Sequence, residues 1–221
     1  MVKITTLEIP GFNDQPVPNT YYQQKDATPH LAIVLPGFGY TAKMPLLYYS
    51  TRLMLQIGTD VLSIDYAYNK MPEYKHCSED EKTRWLMADV LAACNAGLGE
   101  GEYGKITLVG KSLGTIAIAN LLASNETYST ARAVWLTPVL DMQLVRQGIL
   151  DSLPRSFLAI GTNDPFYDAT FIDQLKLDAP DQVMVVDHAD HGLEIKDDLQ
   201  QSLIELESLM QALLTFFSKE L

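Results

Sequence analysis

The sequence predicts an α/β fold, a mostly parallel central sheet with helices on both faces. Three observations carry that expectation. Six short runs dense in Val, Ile and Leu recur along the chain with little polar alternation, the look of strands covered on both faces. Helical patterns separate these runs, and strand, helix, strand in repetition builds a parallel sheet. At 221 residues, 47% of them hydrophobic, the chain is long enough for a substantial core and short enough for one domain over residues 1–221.

The strand candidates are residues 31–35 (LAIVL), 60–65 (DVLSID), 105–109 (KITLV), 132–136 (RAVWL), 156–160 (SFLAI) and 182–186 (QVMVV). Helices are expected over residues 44–57, 79–96, 113–124, 168–177 and 197–219. The second has a start signal, Ser78 followed by Glu81, the spacing at which each side chain satisfies an otherwise free backbone N–H. The last carries Leu199, Leu203, Leu206, Leu209, Met210, Leu213, Leu214 and Phe217 at helical spacing, a core-packing stripe. Residues 4–9 and 20–24 add an antiparallel hairpin at one edge.

Charge narrows the partners. Sixteen Lys and Arg against 28 Asp and Glu leave −12, a field that repels nucleic acid and anionic membrane. Cys77 and Cys94 match no zinc spacing and are too few for a disulfide framework, so they read as reduced, buried thiols. The first residues, MVKITTLEIP, lack a signal-peptide core, and no window offers the run of apolar residues that a membrane span needs. A cytoplasmic location is therefore expected. No internal repeat or linker is visible.

In such a sheet the ligand sits at the carboxyl ends of the strands. The sharpest signal there is Gly110-Lys111-Ser112-Leu113-Gly114, a G-x-S-x-G between the strand ITLV and a helix. A tight strand-to-helix turn strains the serine backbone and lifts its hydroxyl into the cleft. Its glycines are needed where a Cβ would strike the neighbouring strand. The helix N-terminus and the Leu113 N–H then face the place where a tetrahedral oxyanion would form. The same residues end like a phosphate-binding loop. That loop has four residues between its glycines, whereas five, forming a strand, separate Gly104 from Gly110.

A serine hydroxyl is a poor nucleophile until a base takes its proton, so a histidine and an acid must stand at later strand ends. Asp164 follows SFLAIGTN and His191 lies in VDHADHGLE. In this order of serine, acid and histidine, the chain resembles the α/β-hydrolase family, specifically its small, capless dienelactone-hydrolase-like and carboxylesterase-like members. The resemblance runs from about residue 31 to the C-terminus. It matches the oxyanion loop at Pro36-Gly37-Phe38, the nucleophile turn at Gly110 to Gly114, the acid turn at Gly161-Thr162-Asn163-Asp164-Pro165 and the histidine loop at Asp190-His191-Gly192. It implies Ser112 as nucleophile, Asp164 and His191 as its partners, and the Phe38 and Leu113 N–H groups as oxyanion donors. Pro36 departs from the pattern, standing where many relatives have a histidine that braces the loop.

Each assignment has a competitor. His188 stands three residues before His191, and Asp141 and Asp168 are alternative acids, although a carboxylate such as Asp168 at a helix start also favours the helix dipole. His188, Asp190 and His191 resemble a fragment of a metal site, but one short loop supplies every ligand. His30 and His76 lie away from core strand ends. Tyr40, Tyr48, Tyr49, Tyr66 and Tyr68 gather near two strand ends, either lining a pocket or filling gaps between sheet and helices. About twenty residues separate RAVWL from SFLAI, where larger relatives insert a cap, so an open site is expected. The expected activity is hydrolysis of a small or medium soluble ester through an acyl-enzyme, with no cofactor or metal. Thioesterase, peptidase and non-catalytic binding roles remain alternatives on the same residues.

Overall fold

A computed structural model describes residues 2–219. Eight strands form one sheet: β1 (Lys3–Thr5), β2 (Asn19–Gln23), β3 (His30–Leu35), β4 (Asp60–Ile64), β5 (Lys105–Lys111), β6 (Arg132–Leu136), β7 (Ser156–Gly161) and β8 (Val183–Val186). Their spatial order is β1-β2-β4-β3-β5-β6-β7-β8. From β4 to β8 neighbours are parallel, while β1–β2 and β2–β4 are antiparallel.

Alternate strand residues face opposite sides. Leu31, Ile33, Leu35, Leu108, Trp135 and Ile160 enter one core with α3 (Glu79–Leu98), α4 (Leu113–Ser124), α5 (Gln143–Ser152) and α6 (Ala169–Asp178). Ala32, Val34, Val109, Val134 and Ala159 enter the other with α1 (Pro45–Gln56) and α7 (Leu199–Ser218). This two-sided burial explains why the strand sequences are so uniformly aliphatic. Ser78 and Glu81 form the expected reciprocal cap of α3. Among the described residues no helix is long and apolar enough to cross a membrane.

Four differences from the sequence expectations have physical reasons. The antiparallel edge pair is present, but its first strand covers only residues 3–5 rather than 4–9: the Asn19 side-chain amide takes the Leu7 N–H and carbonyl, and the ladder ends before it. α5 was not expected, because it is only ten residues long and carries Gly148, a poor helix former, in its interior, although its buried Val145 and Ile149 keep helical spacing. That glycine lets α5 approach α4 closely, since a Cβ there would lie 3.2 Å from that of Ala119. A five-residue helix, α2 (Pro72–His76), stands where no helix is expected, within the polar run of residues 69–84, with Pro72 in its first turn. The stripe of α7 is buried only in its second half. Leu209, Leu213 and Phe217 are core, together with Phe216, whereas Leu199 and Leu203 are exposed.

The chain leaves β3 for β4 on one side and later returns to β5 on the other, which makes the β3/β5 carboxyl edge a topological switch point. The register Leu35↔Gly110 sets the loop after β3 beside the turn after β5. The segment joining β6 to β7 holds only α5 and a short 3-10 turn, so no cap domain grows there.

Candidate active site

Ser112 stands at the turn from β5 into α4 with φ 53° and ψ −113°, a left-handed backbone that side chains other than glycine rarely adopt. The turn is that tight because α4 lies directly against β3. A Cβ on Gly114 would collide with the Leu35 carbonyl oxygen, and one on Gly110 would lie 2.7 Å from the Gly114 carbonyl oxygen.

The structure brings three of the candidate residues into one hydrogen-bonded line. His191 Nε2 lies 2.8 Å from Ser112 Oγ, and His191 Nδ1 lies 2.8 Å from Asp164 Oδ2. The Asp164 carboxylate is fully enclosed, and its other oxygen accepts the Phe166 N–H at 2.9 Å. Such a line can take a proton from the serine hydroxyl, hold it on the imidazole and stabilise the imidazolium. The His191 ring also meets the edge of Phe166, with centroids 5.3 Å apart.

Other candidates lie elsewhere. His188 is an exposed loop residue whose imidazole faces Asp187 at 3.8 Å. Asp190 folds its own loop by accepting the Gly192 and Glu194 N–H groups. Asp168 caps α6 by accepting the Phe171 N–H and pairs with Arg146 at 2.6 Å. These contacts hold its carboxyl below the usual range. Asp141 is an exposed residue before α5. His30 bridges Thr59 and Thr107 at the opposite end of the sheet, where burial draws its pKa down to about 4.

The Phe38 loop packs tightly on the serine, since a Cβ on Gly37 would lie 3.3 Å from that of Ser112. Neither the Phe38 nor the Leu113 N–H has an acceptor among the described residues, so both remain free for an outside oxygen. The brace that Pro36 cannot supply comes from a residue the sequence reading treated only as pocket lining or filler. Tyr66 donates its hydroxyl to the Pro36 carbonyl at 2.8 Å, while the Gly37 N–H donates to the Tyr40 carbonyl at 3.1 Å. The Pro36–Gly37 peptide is thus clamped at both ends, one peptide before the Phe38 N–H. Burial keeps the Tyr66 hydroxyl protonated far above its ordinary range.

Behind that clamp, Tyr66, Tyr68 and Tyr74 stack at 4.6 and 4.3 Å, with Trp85 edge-on to the last two. The Tyr68 hydroxyl reaches the buried Asp89 at 2.6 Å. Burial raises the carboxyl of Asp89, and the Tyr68 hydroxyl and the Phe12 N–H offset part of that rise. Tyr48 and Tyr49 are exposed on α1. Of the tyrosines, the one that enters the cleft beside Ser112 is Tyr74, from α2, which pattern reading did not single out. The Pro at the start of α2 was its available signal.

Lys111, next to the serine, is 3% exposed and lays its ammonium 4.8 Å above the Tyr40 ring. Burial pulls its pKa down to about 8, against the opposing pull of Asp164 and Asp190. The buried carboxylate of Asp164 therefore has a buried cation in its electrostatic neighbourhood.

A strand-to-helix serine turn at the switch point of a parallel sheet, faced by histidine and aspartate loops, defines a class of α/β proteins. A model of the alpha/beta hydrolase domain matches residues 30–218, and the chain belongs to that family. A comparison with curated proteins finds no match. Similar solved structures include a Pyrococcus furiosus esterase, 16% identical over 99% of this chain and 91% of that one, with a TM-score of 0.69. A Xanthomonas campestris serine hydrolase without a lid is 15% identical over 99% and 95%, with a TM-score of 0.66. The dienelactone hydrolase of Anabaena variabilis is 16% identical over 99% and 97%, with a TM-score of 0.64. At these identities the likeness is one of fold.

Proposed function

We propose that the chain is a serine hydrolase of small to medium soluble carboxylic esters, working through an acyl-enzyme in the cytoplasm. The observation that carries this reading is the unbroken Ser112–His191–Asp164 hydrogen-bond line, 2.8 Å at each step. The printed descriptions of an esterase and a dienelactone hydrolase among proteins of the same fold support it.

Ser112 Oγ attacks the ester carbonyl carbon while His191 Nε2 takes its proton. The carbonyl oxygen becomes an oxyanion held by the Phe38 and Leu113 N–H groups. Collapse expels the alkoxide, which leaves as alcohol with the proton from His191. Water then attacks the acyl carbonyl, gives a proton to the same nitrogen, and the acid is released as Ser112 recovers its proton. Asp164 fixes the imidazole orientation and stabilises its cation in both halves. Neither half needs a metal or a redox cofactor. Labelling with a fluorophosphonate followed by peptide mapping tests the reading, with the label expected on Ser112. A label confined to another serine would overturn it.

Because no cap rises between β6 and β7, turnover should not jump when an ester passes its solubility limit. Rate against substrate concentration, measured across that limit, checks this. A sharp rise at the interface would reveal a mobile lid.

Tyr66 acts here as a positioning residue for the Phe38 N–H. Tyr66→Phe should lower kcat and the rate of fluorophosphonate labelling about tenfold or more while KM stays within about twofold. Removing an oxyanion donor outright costs about 10²–10³, and a misaligned donor costs less. A lower melting temperature with kcat and labelling rate unchanged would reduce Tyr66 to a packing role.

A further inference from the structure

A cleft of about 300 Å³ opens beside Ser112, bounded by Phe38 and Leu113, by Tyr74 of α2 and Leu86 of α3, and by Ile116 and Met142. We infer that this cleft is the acyl pocket of the site and that it takes an uncharged aliphatic acyl chain of short to medium length. The inference rests on the serine-hydrolase reading and adds to it the side of the serine on which the acid portion lies and the chemistry it must have.

The side follows from the directions available around a tetrahedral carbon bound to Ser112 Oγ. The oxyanion must face the Phe38 and Leu113 N–H groups. The leaving oxygen must be within reach of His191 Nε2, which gives it a proton. The acyl chain takes the remaining direction. The cleft touches Ser112 and both oxyanion residues, but no residue of the Asp164 turn or of the His191 loop lines it. It therefore opens away from the imidazole, where the acyl group rather than the alcohol belongs. The groove of about 780 Å³ beyond the His191 loop, lined by Asp190, Glu194 and Leu199 among others, does not include Ser112 and cannot hold the scissile bond.

The occupant's chemistry follows from the walls. Leu86, Ile116, Met142 and Val139 present carbon. The polar groups at the rim are already engaged with one another. Lys82 Nζ lies 2.7 Å from Glu79 Oε1, and the Thr83 hydroxyl donates to the Glu79 carbonyl at 3.0 Å. A charged or strongly polar acyl group would lose its water against these carbon walls, and Lys82, the one cation among the lining residues, is already paired with Glu79. At about 30 Å³ per water-sized group, 300 Å³ holds roughly ten. That is room for an acyl chain of up to about ten heavy atoms, short of a dodecanoyl group.

Two ester series read against each other test this. One varies the acyl chain from acetyl to dodecanoyl on p-nitrophenol below the solubility limit. The other varies the alcohol of acetate esters from ethyl to octyl. The wild type should peak between butyryl and octanoyl and fall tenfold or more by dodecanoyl. Ile116→Trp fills the cleft and should cut the octanoyl-to-acetyl ratio of kcat/KM tenfold or more, while changing the octyl-to-ethyl ratio less than about twofold. Met142→Ala enlarges the cleft and should move the acyl optimum to longer chains, which provides a second reading if the tryptophan variant does not fold. Equal change in both ratios, change in the alcohol series alone, or an optimum unmoved in Met142→Ala would overturn the assignment. Absence of any Ser112-dependent turnover or labelling would instead overturn the hydrolase reading, and the acyl pocket with it.

Discussion

Ser112→Ala is expected to fold like the parent and to lose hydrolysis of short-chain p-nitrophenyl esters by a factor on the order of 10⁵–10⁶, the scale seen when the nucleophile of a serine hydrolase is removed. Folding should survive because the hydroxyl makes one side-chain hydrogen bond, to His191 Nε2, and supports no core contact that alanine lacks. The strained backbone at φ 53° is set by the packing of β5, α4 and β3 rather than by the side chain, so the turn should persist. All fluorophosphonate labelling should vanish with the activity, and circular dichroism with a melting curve establishes that the fold is intact. Retained turnover, or labelling that survives in the variant, would place the nucleophile elsewhere.

The second large effect belongs to the residues that prepare the serine. His191→Ala should remove nearly all activity, because among the described residues His191 supplies the one imidazole hydrogen-bonded to Ser112. The exposed His188→Ala should leave kcat/KM within about twofold, since its ring faces Asp187 and solvent. Asp164→Asn should keep the fold and lose up to about 10⁴ in kcat, the cost of an amide that neither holds the tautomer nor stabilises the imidazolium. Its setting makes the effect severe: the carboxylate is enclosed, and one oxygen is committed to the Phe166 N–H while the other takes His191. Asp141→Asn and Asp168→Asn are the matched comparisons. Asp168→Asn removes a contact to Arg146 and weakens the cap of α6, so its effect should appear in the melting temperature rather than the rate. A large rate loss in either comparison with Asp164→Asn silent would show that the acid is misassigned.

How far the sequence could be read depended on whether a signal was local. The core strands were legible because both faces of β3 to β7 are covered, which forces unbroken aliphatic runs such as LAIVL and RAVWL. Ser112, Asp164 and His191 were locatable because each follows a strand at its carboxyl end and short glycine-bearing turns mark them. The placement of α5 was hidden by Gly148, whose value is a close approach to α4 that no single-segment pattern records. Tyr66 and Tyr74 were illegible as site supports for a different reason. The partner of Tyr66 is a carbonyl thirty residues away, and Tyr74 reaches the cleft only because α2 folds back over the loop after β3. The exposed half of α7 shows the converse error, a helical stripe longer than the surface available to bury it.

The contact between Phe12 and Asp89 bears on where the working unit begins. The stretch shared with the family starts at residue 30. Yet the Phe12 N–H donates to the buried Asp89 carboxylate at 2.7 Å, alongside the Tyr68 hydroxyl, and its ring stacks on Trp85 at 4.7 Å. Asp89 in turn anchors Tyr68, Tyr68 stacks on Tyr74, and Tyr74 walls the cleft. A fragment trimmed to the shared stretch would strip that support from the site and leave β4 with an open edge where β2 now pairs, a template for intermolecular strand addition. The evolutionary module and the smallest competent, non-aggregating piece of this chain therefore have different boundaries, and the difference lies in residues that touch no substrate.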